Sequence, residues 1–137
     1  MDDPPQPGRA DPRMPQHFTP CGEYAEFRPV ASAPLLRCIG MIKAAIEFAR
    51  EGGIAKLLVD TTGLSGFTPP GTLDRIWMAH QFARTAGSAV KVALVARPEL
   101  IHPEKIGVMV ARNRGMLADV FSDGTAALVW LRDPAAK

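Results

Sequence analysis

Gly53-Ile54-Ala55-Lys56-Leu57-Leu58-Val59-Asp60 is a short apolar run bounded by glycine and ended by a carboxylate. Its length, too short for a stable helix, and its flanking Gly52-Gly53 favour a buried strand. Two further runs have the same character, Val90-Lys91-Val92-Ala93-Leu94-Val95-Ala96 and Leu117 to Phe121. Helical periodicity fills the intervals. Leu35, Ile39, Ile42 and Ile46 lie at i, i+4, i+7, i+11, behind Pro34, whose missing N–H does no harm at a helix start. Gly52-Gly53 stops that helix as a left-handed cap would. A second helix starts near Thr68 or Thr72, with Leu73, Ile76, Trp77, His80 and Ala83 as its expected inner face and Gly87 as its end. A third starts at His102-Pro103-Glu104, turns Ile106, Val110 and, as a further candidate, Met109 inward and stops at Gly115. Ser122 or Asp123 caps a fourth, striped by Ala127, Trp130 and Leu131. Strands alternating with helices call for an α/β fold with a largely parallel sheet of four or five strands.

Upstream, His17-Phe18-Thr19 and Tyr24 to Arg28 read as two short strands around Cys21-Gly22, with Ala25 and Phe27 on one face and Tyr24, Glu26 and Arg28 on the other. Pro29 places the second at a sheet edge or ends it. Residues 1–16 carry five prolines and, as apolar residues, only Met1, Ala10 and Met14, and read as a disordered tail. The domain is expected over residues 17–133, with 134–137 as a short C-terminal tail.

The full chain has 137 residues, enough for one domain with an ordinary core. A formal charge of +2, with acids and bases interspersed, gives no basic face for nucleic acid. No apolar run approaches the ~18 residues of a membrane span, and Met1-Asp2-Asp3-Pro4-Pro5 has neither the basic nor the apolar region of a secretory signal. Cys21 and Cys38 match no CxxC or metal-ligand spacing and suit two free thiols in a reducing, cytoplasmic compartment, with no metal and no cofactor expected.

In open parallel sheets ligands bind beyond the carboxyl ends of the strands. Those ends bring together Asp60, Thr61, Thr62, Arg97, Ser122 and Asp123, overhung by the loop Thr62-Gly63-Leu64-Ser65-Gly66-Phe67-Thr68 that leads to a helix N-terminus. Asp60, Thr62, Ser65, Phe67, Thr68 and Arg97 are therefore the expected ligand- or partner-binding residues. The competing reading of Asp60 is a turn carboxylate bonding local amides. No catalytic motif stands out: Gly63-Leu64-Ser65-Gly66 departs from GxSxG at Phe67, and there is no P-loop and no GxGxxG. His80 reads as a packing histidine on the second helix. Arg112-Asn113-Arg114-Gly115 reads as a helix C-terminus with its dipole complement and cap. Trp77 and Trp130 read as core, Trp77 alternatively as an anchor for a partner or a homodimer contact.

Gly53 to Asp60 followed by Gly63 and Gly66-Phe67, then Val92 to Ala96, Val110 to Gly115, Val120 to Asp123 and Ala127 to Leu131, resemble the pattern of bacterial STAS-like proteins related to the sporulation anti-anti-sigma factor, a group often placed with lipid-carrier CRAL-TRIO domains. The resemblance covers about residues 22–132. It implies helices mainly on one side of the sheet, and binding or regulation rather than catalysis. Regulatory STAS domains carry a phosphorylated serine in Asp-Ser-x-Gly at the second helix. The corresponding stretch is Thr68-Pro69-Pro70-Gly71, with Pro69 at the serine position, so that switch is not expected. Three functional readings follow. The first is a non-enzymatic regulatory or binding module, engaging a protein partner or small ligand at the loop after the central strand. It expects an exposed patch around Leu64, Phe67 and Thr68. The second is a carrier of a small apolar or lipid ligand, which requires an enclosed apolar pocket between sheet and helices. The third is a small hydrolase, which requires Asp60, Ser65 or His80 within hydrogen-bond reach of one another.

Overall fold

The computed structural model describes residues 11–136. Most of the proline-rich segment read as a tail lies outside these. Its last residues, 11–16, form turns, and Met14 packs on the core.

The elements run β1 (Phe18–Pro20), β2 (Ala25–Phe27), β3 (Ala31–Ser32), α1 (Leu35–Glu51), β4 (Lys56–Asp60), β5 (Leu64–Ser65), α2 (Thr72–Ala86), β6 (Lys91–Val95), α3 (Ile106–Asn113), β7 (Ala118–Phe121) and α4 (Gly124–Arg132). A 3-10 turn, Pro98–Leu100, precedes α3. The main sheet has five strands in the order β1-β2-β4-β6-β7. Only β1 is antiparallel; β2, β4, β6 and β7 pair in parallel, with Leu57 opposite Val92 and Leu94 opposite Val120. Buried on both faces, the parallel strands carry near-continuous apolar sequence, which is why β4 and β6 stand out in the chain.

The parallel strands follow one another across the sheet in chain order, with a helix in each connection. Right-handed crossovers then put α1, α2 and α3 on one face. Side-chain alternation divides the core accordingly. Phe27, Leu57, Val59 and Val92 pack with Ile42, Ile46, Ala79, Ala83 and Ala111 of these helices. Leu58, Ala93 and Val95 pack on the other face with Ala127 and Leu131 of α4. Asp123 caps α4, its carboxylate accepting from the Thr125 and Ala126 amides. Lys91 closes the other end. Its ammonium is buried and donates to the carbonyls of Trp130 and Asp133, each at 2.9 Å, and sits 4.4 Å from the Trp130 ring centroid. Burial, aided by Lys56 and opposed by Asp133, lowers its pKa.

Several expectations are corrected. β2 lies between β1 and β4, so Pro29 ends the strand and does not mark an edge. Of the two starts expected for α2 the structure takes Thr72, with Gly71 as the cap residue, and only the Thr68-Pro69 alternative falls outside the helix. α3 begins at Ile106, after the 3-10 turn, and not at His102-Pro103-Glu104. The buried stripe of α2 is Ala79, Ala83 and Ala86, whereas Leu73 is 82% exposed and Trp77 43% exposed. Of the expected inner face Ala83 is buried and Ile76 and His80 are half-buried; short alanines let α2 sit close to its neighbours, and this turns the stripe away from Leu73 and Trp77. Trp130 is half-buried, its ring 5.7 Å from that of Phe121. A two-stranded parallel sheet, β3 with β5, had no sequence signal, because two-residue strands carry no periodicity.

Candidate functional site

The loop after β4 is pinned to the segment before α1. The Ala31 amide donates to the Gly63 carbonyl at 3.2 Å and the Ala33 amide to the Ser65 carbonyl at 2.8 Å. Gly66 has φ +90, and a Cβ there would lie 2.7 Å from the Ala33 nitrogen, so glycine is required for this approach. Leu64 is only 2% exposed and packs with Ala33 and Cys38, which overturns the expected exposed patch at that residue. Phe67 packs on the same cluster, and only Thr68 of the three stays exposed.

The other expected residues separate. By strand alternation Asp60 points to the α4 face with Leu58. Its carboxylate accepts from the Thr62 amide at 2.9 Å, the Thr62 hydroxyl at 2.7 Å and the Arg28 guanidinium at 3.1 Å. This is the local turn role that competed with a binding role. Arg28 also pairs with Glu26 at 3.1 Å, and that bond holds the guanidinium firmly protonated. Ser65 is exposed beside Ser32. Arg97 ties the two rim loops, donating from Nη2 to the Leu64 carbonyl at 3.1 Å, while its Nε makes no hydrogen bond and has the Glu99 carboxylate 3.9 Å away. Among the described residues no hydrogen bond links Asp60, Ser65 and His80, and no group of three His, Cys, Asp or Glu side chains is arranged to hold a metal ion. Among these residues, too, no helix is long and apolar enough to cross a membrane.

What the fold builds instead is a cavity of about 170 Å3 between the sheet and the α1–α3 layer. Its floor is Val92, Leu94 and Ala96 from β6 and the residue after it, with Ala118 and Val120 of β7. Its walls are Ile39, Ile42 and Ile46 of α1, Met78, Ala79 and Phe82 of α2, and Val108 and Ala111 of α3. Thr61, Leu64, Phe67, Leu100, Ile101 and His102, from the loops after β4 and β6, bring it to the rim at the carboxyl ends of the strands. Small residues keep the space open: Ala79, Ala96, Ala111 and Ala118 face it where larger side chains would close it. Cys38 also borders it, its buried thiol 3.6 Å from the Ala33 carbonyl and its pKa raised by burial.

Of the six residues expected from sequence, only Phe67 lines this space. Sequence reasoning missed the walls. The signal that could have found them is the set of alanines interleaved with isoleucine, leucine and valine on elements that face each other. The sheet also lacks a reversal of strand order, the feature that opens a crevice at the rim of many parallel sheets. The available space is therefore beneath the helices.

A scan against protein-family models finds no match for the chain, and a search of curated proteins finds none either. The functional reading accordingly rests on the cavity and the groups around it.

Proposed function

We propose that this domain is a non-enzymatic binding module for a small apolar molecule held between the sheet and the α1–α3 layer. The observation that carries the reading is the cavity of about 170 Å3 with almost wholly apolar walls. An apolar cavity of about 150 Å3 stays free of water and takes up benzene, so this one suits a ligand near the size of a single ring. Drug-sized ligands occupy roughly 300–1,000 Å3, which argues for a compact ligand over a long-chain lipid. The reading joins two of the sequence expectations, a small ligand beside the loop after the central strand and an apolar carrier. It accords with the STAS-like resemblance, which we retain as a proposal for the family. The unpaired thiols of Cys21 and Cys38 suit a cytoplasmic setting. A protein partner is the second reading, favoured by Leu73 and Trp77, exposed one helical turn apart on α2.

Ala79→Leu tests the primary reading, because it puts an isobutyl group into the cavity from the buried face of α2. Benzyl alcohol serves as the probe. At ten times its dissociation constant it stabilises the wild-type chain by about 1.4 kcal/mol, read as a shift in the chemical-denaturation midpoint. The variant, overpacked and about 1–3 kcal/mol less stable than wild type, gains no such stabilisation. Equal stabilisation of both proteins would overturn the assignment.

A further inference from the structure

The polar groups around the cavity are unequally occupied, and the difference points to a ligand charge. The Thr61 hydroxyl donates to the Val95 carbonyl at 2.8 Å. The Asp119 carboxylate accepts from Lys105 Nζ at 3.0 Å and from the Val120 amide at 2.8 Å, with Arg112 at 3.7 Å. That carboxylate is therefore charge-compensated. Two donors remain. Arg75 borders the cavity and uses Nε on the Pro70 carbonyl at 3.1 Å, but among the described residues no carboxylate pairs with it and neither terminal nitrogen has a partner. His102 also borders the cavity; its Nδ1 accepts from the Glu104 amide at 3.0 Å, which places the ring proton of the neutral form on Nε2. That Nε2–H has no acceptor among the described residues.

Both donors border the cavity, from α2 and from the loop after β6. Arg75 is in the first turn of α2, and α3 starts against it: a Cβ at Gly107 would lie 4.0 Å from the Arg75 Cβ. Gly107 thus sits against Arg75, and His102, in the loop after β6, borders the same cavity. A guanidinium with its terminal nitrogens free presents a planar fork matched to a carboxylate. At the edge of an apolar space that pairing is stronger than in open water.

We infer that the ligand of this cavity is a small apolar carboxylate, its ring or branched body between the helices and the sheet and its carboxylate on Arg75, with His102 as a second donor. The inference rests on the proposed cavity function and adds the chemical class of the ligand. A free inorganic anion would use Arg75 but leave the apolar walls unused, so the ligand needs both parts.

Three probes separate the parts: benzoate, benzyl alcohol as its uncharged counterpart, and acetate as a carboxylate without the apolar body. Each is titrated at neutral pH into the full chain and followed by 1H–15N spectra, which also report whether each variant is folded. Wild type is expected to bind benzoate at least tenfold more tightly than benzyl alcohol or acetate. Arg75→Gln brings benzoate down to the affinity of benzyl alcohol and leaves benzyl alcohol unchanged. Arg75→Lys keeps part of the preference, and His102→Gln, which does not touch the Pro70 contact, lowers benzoate affinity about threefold. Equal binding of benzoate and benzyl alcohol, or an Arg75→Gln protein with the wild-type ratio, overturns the carboxylate assignment while leaving the cavity function standing. Binding of acetate as tight as benzoate overturns it as well, as an anion site alone. Failure of both aromatic probes overturns the cavity function and this inference together.

Discussion

Phe27→Ala lowers the unfolding free energy by about 3–5 kcal/mol. The side chain is 2% exposed, with its ring centroid 6.5 Å from that of Phe18, and Phe18 meets Phe48 of α1 edge-on at 5.0 Å. Its strand also pairs with both neighbours, β1 and β4. Truncation therefore opens a void where the N-terminal hairpin, the central sheet and α1 meet. Urea denaturation of wild type and variant gives the difference directly. A loss below about 1 kcal/mol, the scale of an ordinary surface or mild core change, would mean that the hairpin is an appendage and that β2 does not sit inside the sheet.

Lys91→Ala has the next largest expected effect, a loss of about 3 kcal/mol. The ammonium supplies donors to two carbonyls at the end of α4 and lies against the Trp130 ring. Removing it leaves those carbonyls short of a partner and uncovers the ring. The pH dependence gives an independent check. Burial makes the folded-state pKa of Lys91 lower than that of the unfolded chain. Between the two values the unfolded chain holds the extra proton, so this group makes stability rise with pH across that window. Denaturation curves taken through the window should show the rise in wild type and lose it in Lys91→Ala. A variant as stable as wild type, with the same alkaline profile, would show that Lys91 does not secure α4.

The central strands were legible because burial on both faces demands continuous apolar sequence, as in Leu57-Leu58-Val59 and Val92 to Val95. Helix existence was legible for the same reason, through the isoleucine stripe of α1 and the Asp123 cap of α4. Helix rotation was less so. In α2, hydrophobic bulk pointed to Leu73 and Trp77, yet the alanines won the interior, since close approach between backbones rewards small side chains over large ones. The site was legible only as a region. The carboxyl ends of the strands are where the cavity reaches the rim, but most of its walls come from helix faces that meet only in three dimensions. Asp60 shows the limit clearly: its position at a strand end suggested a site, while the structure shows it bonded to Thr62 and Arg28 in a turn on the other face. A carboxylate so placed reads the same in sequence whether it serves a ligand or its own backbone.

The most direct measurement is a set of intermolecular NOEs between benzyl alcohol and the methyl-labelled protein. Contacts from the ring protons to the methyls of Ile42 on the helix wall and of Leu94 and Val120 on the sheet floor are the predicted result. NOEs confined to exposed methyls such as those of Leu73 and Val129, with none to the three interior residues, would contradict a binding function for this cavity.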